Sequence, residues 1–129
     1  MLQLRAPAAR RKLVASVVAH GLDRERAAAF FGPARRDPRV AGDLVAAMGG
    51  FRPQPLLDAS AAIPRYDRPV LLVWGEACDF FPIAGAQRLA AAFPDATLIR
   101  VPAAKTWLPI DAPDAVSDAI AAFVPADRS

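Results

Sequence analysis

A short apolar run between a proline and a glycine most constrains the fold of this chain. Residues 68–82 read RPVLLVWGEACDFFP, and the stretch from Val70 to Trp74 is continuously apolar. A run of this length closed by Gly75 predicts a strand buried on both faces of a parallel sheet. Pro82 suits the first turn of a following helix. The turn between Gly75 and Pro82 therefore lies at the carboxyl end of a parallel strand, where open α/β sheets place their chemistry.

Apolar spacing and capping residues predict three short amphipathic helices before this strand. The first covers residues 10–20. The second is capped by Asp23 and stopped at Gly32-Pro33, and the third begins at Asp37-Pro38, an N-cap followed by proline at the first helical position. A proline-rich linker over residues 51–68, with one or two helical turns, leads back to the sheet.

After the strand, the pattern predicts a helix that ends at Pro94, a second strand over residues 96–101 and a last helix. Asp111 and Pro113 introduce this last helix. Its apolar face is predicted to comprise Val116, Ala119, Ile120, Phe123 and Val124. Residues 69–124 thus read β-α-β-α, which the right-handed crossover rule makes a parallel pair flanked by helices.

Length and charge narrow the class of protein. The 129 residues suffice for one domain with one core, and no apolar run approaches the roughly 20 residues needed to cross a bilayer. Residues 1–40 contain nine Lys/Arg and three Asp/Glu, which gives this segment a net charge of +6. The remainder of the chain has a net charge of −3. No aromatic interleaving or recognition module accompanies the basic segment, so a solvated helix face is favoured over nucleic-acid binding. The single cysteine excludes an internal disulfide and is compatible with a cytoplasmic location.

Several motifs of the second half resemble one known family. RPVLLVWGE, then FFP, then RLAAAFPDA are similar to the seventh strand and following helix of the α/β-hydrolase fold. The resemblance covers residues 64–124 by motif and residues 1–63 only by architecture. It implies a partial α/β-hydrolase fold, in which residues 1–63 are a helical lid segment and linker and residues 64–129 are the carboxyl-terminal β-α-β-α part. Because a complete member needs about twice this length, a fragment is expected.

The resemblance implies a catalytic triad, and this chain departs from it at each position. The acid is expected three residues after Gly75 and four before Pro82, where the chain has Cys78, with Asp79 one place later. The base is expected in the loop after the second strand, where Thr106 holds the place of histidine. None of the serines, which are Ser16, Ser60, Ser117 and Ser129, lies in the G-x-S-x-G context of a nucleophile elbow.

Each candidate site residue also has a structural interpretation. Cys78 is either a nucleophile or a small semi-buried hydrophobe, and nothing identifiable in the sequence lowers its pKa. Asp79 is either a displaced acid or a helix N-terminal carboxylate, and the lone His20 is interpreted as a cation at a helix end. The aromatic residues near the strand ends are predicted to line the core and a pocket; they are Trp74, Phe80, Phe81 and Trp107.

Two functions from different classes follow. The first is an α/β-hydrolase-like protein, related to ester or acyl hydrolysis but inactive alone because its triad is incomplete. The second is a non-catalytic module that binds an apolar ligand or another chain. The expected partners are a small apolar or ester-like substrate, and either a second copy or an N-terminal half that supplies the rest of the sheet. No cofactor, metal, nucleic acid or membrane is expected.

Overall fold

The structure, a computed structural model, describes residues 7–124, so residues 1–6 and 125–129 of the two predicted segments lie outside the described residues. The architecture is mixed α/β, with helices around one pair of parallel strands. In chain order the elements are α1 (Pro7–Val17), α2 (Arg24–Arg36), α3 (Pro38–Gly50), α4 (Pro53–Ser60), a 3-10 turn (Ile63–Arg65), β1 (Val70–Gly75), α5 (Ile83–Ala92), β2 (Ala96–Val101), α6 (Leu108–Asp111) and α7 (Pro113–Phe123).

The predicted parallel strands are confirmed. β1 pairs with β2 in a register that sets Val70 opposite Ala96 and Gly75 opposite Val101. Helix α5 makes the crossover and packs against both strands, as the connection between neighbouring parallel strands requires. Ala86 of α5 and Ala119 of α7 are buried. Both helices pack against β1, and small side chains at these positions allow close packing.

The prediction that the first strand is buried on both faces is wrong. Every residue from Val70 to Trp74 keeps a partly exposed side chain, and only Gly75 of β1 is buried. A strand becomes fully buried when it has neighbours on both edges and layers on both faces. Within residues 7–124, β1 has a strand neighbour on one edge alone, so its side chains remain half-buried.

The predicted caps of the helical segment are confirmed. The Asp23 carboxylate accepts a hydrogen bond from the Arg26 N–H at 2.7 Å, and Asp37 accepts one from the Arg39 N–H at 2.9 Å. The predicted stop at Gly32-Pro33 is wrong, because α2 continues through Pro33 to Arg36. Proline removes one N–H, but the next turn closes when the Asp37 N–H donates to the Pro33 carbonyl at 2.9 Å.

Helix α1 differs from its prediction at both ends. It begins at Pro7 and ends at Val17, rather than covering residues 10–20. The helix ends early because the Val17 carbonyl accepts a hydrogen bond from the Trp107 N–H at 2.9 Å. The Val17 carbonyl thus has a partner in a distant loop, whereas in a longer helix it would accept a hydrogen bond from the next turn.

The last helix shows only part of its predicted apolar face to the core. Val116 and Phe123 are half-buried and Ala119 is buried, whereas Ile120 and Val124 are about half exposed. The predicted apolar face is therefore only partly covered, and Ile120 and Val124 lie at its exposed side. A five-residue apolar face needs a wider surface to cover it than the elements around α7 provide.

Asp111 ties the helical segment to the sheet. Its carboxylate accepts hydrogen bonds from the Ala19 N–H at 2.8 Å and from the Lys105 N–H at 2.9 Å. The Lys105 ammonium in turn donates to the Ala15 carbonyl. These bonds join the end of α1 to the loop after β2, two parts of the chain that are about 90 residues apart.

We expect Asp111→Ala to lower the free energy of unfolding by about 2–4 kcal/mol, because two backbone N–H groups lose a charged acceptor. Urea denaturation followed by circular dichroism measures this change. Asp118→Ala, at an exposed position of α7, is the control and should change stability by less than about 0.5 kcal/mol. Equal effects of the two substitutions would contradict a structural role for the Asp111 carboxylate.

Candidate functional site at the strand ends

The candidate site lies where the carboxyl ends of β1 and β2 meet. The two strands are parallel and in register, so the turn after Gly75 and the loop after Val101 leave the sheet side by side. Two backbone bonds hold these segments together: the Glu76 N–H donates to the Val101 carbonyl at 3.1 Å, and the Ala77 N–H donates to the Ala104 carbonyl at 3.0 Å. Sheet geometry therefore brings together side chains that follow different strands.

Gly75 is required by this close approach. A Cβ atom at this position would collide with the backbone carbonyl groups of Ala104 and Lys105. Ala104 is 1% exposed, so the loop has little room to move away. The absence of a side chain at Gly75 thus lets the 102–106 loop lie directly against the strand end.

Cys78 and Thr106 meet at this point. The Cys78 Sγ and the Thr106 Oγ1 atoms are 2.8 Å apart, and either can donate the hydrogen bond. Cys78 is 5% exposed and Thr106 is half-buried. The two positions that the sequence analysis derived from separate motifs are therefore in direct contact.

The surroundings of Cys78 favour its thiolate. Burial raises the pKa of the thiol, but hydrogen bonds from the Thr106 hydroxyl and from the Phe81 and Phe80 N–H groups lower it, and the pKa falls below its ordinary value. The negative charge of Asp79 opposes this shift. The expectation that nothing lowers the pKa of Cys78 is therefore wrong, because the lowering groups come from the folded turn and from a distant loop.

The four aromatic residues differ in burial, and the prediction of core or pocket positions is wrong for Phe80 and Phe81. Phe80 and Phe81 are 61% and 54% exposed, because they lie in the turn that projects beyond the strand end. Trp74 is half-buried and its indole N–H donates to the Phe81 carbonyl at 2.8 Å, which pins this turn to the sheet. Trp107 is half-buried and stacks on Phe30 of α2, with 4.7 Å between ring centroids.

Asp79 is exposed and plays neither predicted role by direct contact. Helix α5 begins at Ile83 after the N-cap Pro82, and no side chain caps its first turn. Asp79 also makes no hydrogen bond to Thr106 among the residues that the structure describes. Its one resolved influence is electrostatic, on the Cys78 thiol.

Sequence reasoning missed Asp111 as a contributor to this site. Through the Lys105 N–H, its carboxylate fixes the loop residue next to Thr106. In the sequence, Asp111 was only a helix-start signal, since its position just before Ala112-Pro113 is typical of that role. Its partners lie on a separate loop and on the distant end of α1, so only the folded chain identifies them.

An apolar groove of about 440 Å³ lies apart from the strand ends, between α1 and α2. Its lining comprises Arg11, Val14, Ala15, Val18, Ala19, Gly21, Leu22, Ala27 and Phe31. Arg11 is the charged member of this lining and is exposed. The groove thus combines an apolar floor with one cation.

The site has limited chemical capacity. A threonine hydroxyl donates or accepts a hydrogen bond, but it does not take up a proton at neutral pH.

His20 is exposed beyond the end of α1 and makes no side-chain hydrogen bond within residues 7–124. Over the same residues, no group of three or more His, Cys, Asp or Glu could hold a metal ion, and no helix is long and apolar enough to cross a bilayer.

Comparison with known proteins adds no further constraint on this site. No family model, curated protein or solved structure matches the chain.

We expect Thr106→Val to raise the pKa of Cys78, because the thiolate loses its side-chain donor. Ultraviolet absorbance of the thiolate, followed against pH, measures this change. Since the folded-state pKa is lowered, the thiolate contacts stabilise the fold above the unfolded-state pKa, and this stability is lost as pH falls through the folded-state pKa. The variant should therefore lose more stability in alkaline solution than at neutral pH. Thr97→Val, at an exposed position of β2, is the control; an equal pKa in both variants would contradict the assignment.

Proposed function

We propose that this chain is the carboxyl-terminal part of an α/β-hydrolase-like protein, in which a thiol and a hydroxyl stand where the triad acid and base would be. The observation that carries the proposal is the 2.8 Å contact between Cys78 Sγ and Thr106 Oγ1. In a Ser-His-Asp triad the acid must hydrogen-bond the histidine. Two positions inferred from separate motifs meet this geometric requirement, which supports the resemblance on which they were assigned.

The order of elements also supports the proposal. Helices α1 to α4 precede a β-α-β-α unit with parallel strands, as expected for a lid segment followed by the last part of the core. The loop with Thr106 is bonded to the end of α1 through Asp111 and Trp107. A lid attached to the base loop would couple any movement of the lid to the catalytic position.

The proposed protein does not complete acyl transfer with the described residues. The acid of a triad orients the histidine and stabilises its charged form, and the histidine takes the serine proton. Neither Cys78 nor Thr106 takes the serine proton in place of a histidine. Cys78 has a lowered pKa, but the thiol is buried and no imidazole is bonded to it. An ester-like substrate would therefore be bound without being cleaved unless further residues complete the site.

The second candidate function is binding without catalysis. The groove between α1 and α2 supports it, because an apolar floor beside the Arg11 guanidinium suits a ligand with an apolar body and an anionic end. This groove is formed by the helical segment alone. It would thus persist whether or not the strand ends form a catalytic site.

We expect the 129-residue chain to hydrolyse short acyl esters no faster than buffer, because its described residues include no nucleophile elbow and no base beside Cys78. Release of a chromogenic alcohol from an acetyl ester measures the rate. Cys78→Ser is the control, since it removes the thiol with little change in size. A stoichiometric burst of product that Cys78→Ser abolishes would contradict the proposal and identify Cys78 as a nucleophile.

A restored acid and base test the geometry directly. Thr106→His introduces an imidazole, and the further change Cys78→Asp places a carboxylate beside it. We expect the pKa of the introduced histidine to be at least about one unit higher in the double variant, because a nearby carboxylate favours the imidazolium. Nuclear magnetic resonance titration measures the pKa of this histidine in the Thr106→His variant and in the double variant. Both variants also carry His20→Gln, so that each contains one histidine.

The matched control pairs Thr97→His with Cys78→Asp, because position 97 is exposed on β2 at the opposite end of the strand from the site. Its histidine pKa should not respond to the carboxylate. If the histidine introduced at position 106 is equally insensitive, the two positions are not related as acid and base, and the hydrolase-like proposal fails.

A further inference from the structure

The groove between α1 and α2 is bonded to the part of the chain that carries Thr106. Ala15 and Ala19 of its wall line the groove. The Ala15 carbonyl accepts a hydrogen bond from the Lys105 ammonium, and the Ala19 N–H donates to the Asp111 carboxylate at 2.8 Å. The wall of the groove and the loop after β2 are therefore joined directly.

Thr106 is held by its neighbours on both sides. Lys105, just before it, is bonded to α1 through its ammonium group. Trp107, just after it, donates its N–H to the Val17 carbonyl at 2.9 Å and stacks on Phe30 of α2. The position of Thr106 thus depends on how α1 and α2 are arranged.

The size of the groove suits a small molecule rather than a second protein. Its volume of about 440 Å³ lies within the range of ligand pockets, which is roughly 300–1,000 Å³. Nine residues line it, whereas a stable protein interface uses about 20–30 residues on each side. Val18 in its floor is 1% exposed, while Ala15 and Gly21 are exposed, so an apolar floor lies open to solvent.

Charge specifies one end of the ligand. Arg11 is the one charged residue among the described residues that line the groove, and none of the nine is acidic. No salt bridge joins Arg11 to another residue in the described part of the chain. An anionic head group can therefore bind the guanidinium while its apolar chain covers the floor. A neutral or cationic amphiphile lacks this contact.

We propose that a small amphiphile with one anionic head group binds the groove between α1 and α2, and that its binding holds the loop with Thr106 against Cys78. This rests on the second candidate function, binding without catalysis, and adds a coupling between the groove and the strand ends. The groove exists only while α1 and α2 keep this arrangement, so a bound ligand stabilises the arrangement by mass action. The bonds from α1 to the loop are then broken less often.

Binding is tested with decanoate, and with 1-decanol and decyltrimethylammonium as neutral and cationic probes of the same chain length. Isothermal titration calorimetry of the full chain, below the concentrations at which the probes form micelles, should show decanoate binding about fivefold more tightly than either of the others. Arg11→Gln should weaken decanoate binding about fivefold. Arg88→Gln removes the same charge at an exposed position of α5, and it should change the affinity less than about twofold.

The coupling is tested by labelling Cys78, the single cysteine, with the neutral reagent iodoacetamide. Cys78 is buried, so it reacts when the strand-end segments open locally. Saturating decanoate should slow the labelling at least about threefold. Phe30→Ala removes the stack on Trp107 and should at least halve this slowing, with decanoate affinity changed less than about twofold because Phe30 does not line the groove.

Phe51→Ala is the matched control, because Phe51 is 67% exposed and precedes α4, away from the loop. It should retain the full slowing of labelling by decanoate. Circular dichroism verifies that each variant is folded. If Phe30→Ala is unfolded, Phe30→Leu removes the aromatic stack and keeps an apolar side chain, and the same reduction is expected.

Failure of the coupling and failure of the binding function give different results. Absence of saturable decanoate binding would overturn the whole proposal and the second candidate function with it. Equal affinity for decanoate and 1-decanol, or equal effects of Arg11→Gln and Arg88→Gln, would overturn the assignment of an anionic ligand. Decanoate binding that leaves Cys78 labelling unchanged, or slows it equally in Phe30→Ala and Phe51→Ala, would overturn the coupling alone.

Discussion

Parallel pairing of β1 with β2 is the interaction on which the rest of this structure depends. It aligns Gly75 with Val101, so that the segments after both strands leave the sheet at the same place. Everything that distinguishes the candidate site follows from this alignment, including the backbone bonds from Glu76 and Ala77 to the second strand end. Without the pairing, Cys78 and Thr106 would be two polar residues in unrelated loops.

Asp111 extends this order from the sheet to the helical segment. One carboxylate oxygen holds the loop after β2 and the other holds the end of α1, so a single side chain couples the two halves of the molecule. The Trp107–Phe30 stack and the Trp107 N–H bond to Val17 add contacts at the same junction. By comparison, α3 packs mainly on α2, and the apolar side chains Leu56 and Leu57 of α4 stay exposed. The described hydrogen bonds between the helical segment and the later part of the chain therefore lie at this junction.

The strand ends hold a thiol and a hydroxyl in direct contact, and the chemistry of these two groups limits what the contact can do. A carboxylate at 2.8 Å from an imidazole would orient the ring and stabilise its charged form, whereas a thiol and a hydroxyl at that distance share only a hydrogen bond. The thiolate is nevertheless favoured by the Phe80 and Phe81 N–H groups, which point at the position where a negative charge would sit.

The sequence by itself determined the elements of this fold. The apolar run between Pro69 and Gly75 specifies β1, the run between Pro94 and Pro102 specifies β2 at the predicted residues, and Asp23 and Asp37 specify two helix starts. These features are local, because they depend on propensity, spacing and capping within a few residues. Only the tertiary structure decided the exposure of Ile120 and Phe80, the lowered pKa of Cys78 and the bridging role of Asp111. The reason is physical: burial and hydrogen bonding between residues 28 or 92 positions apart depend on how packed elements meet, which no local pattern encodes.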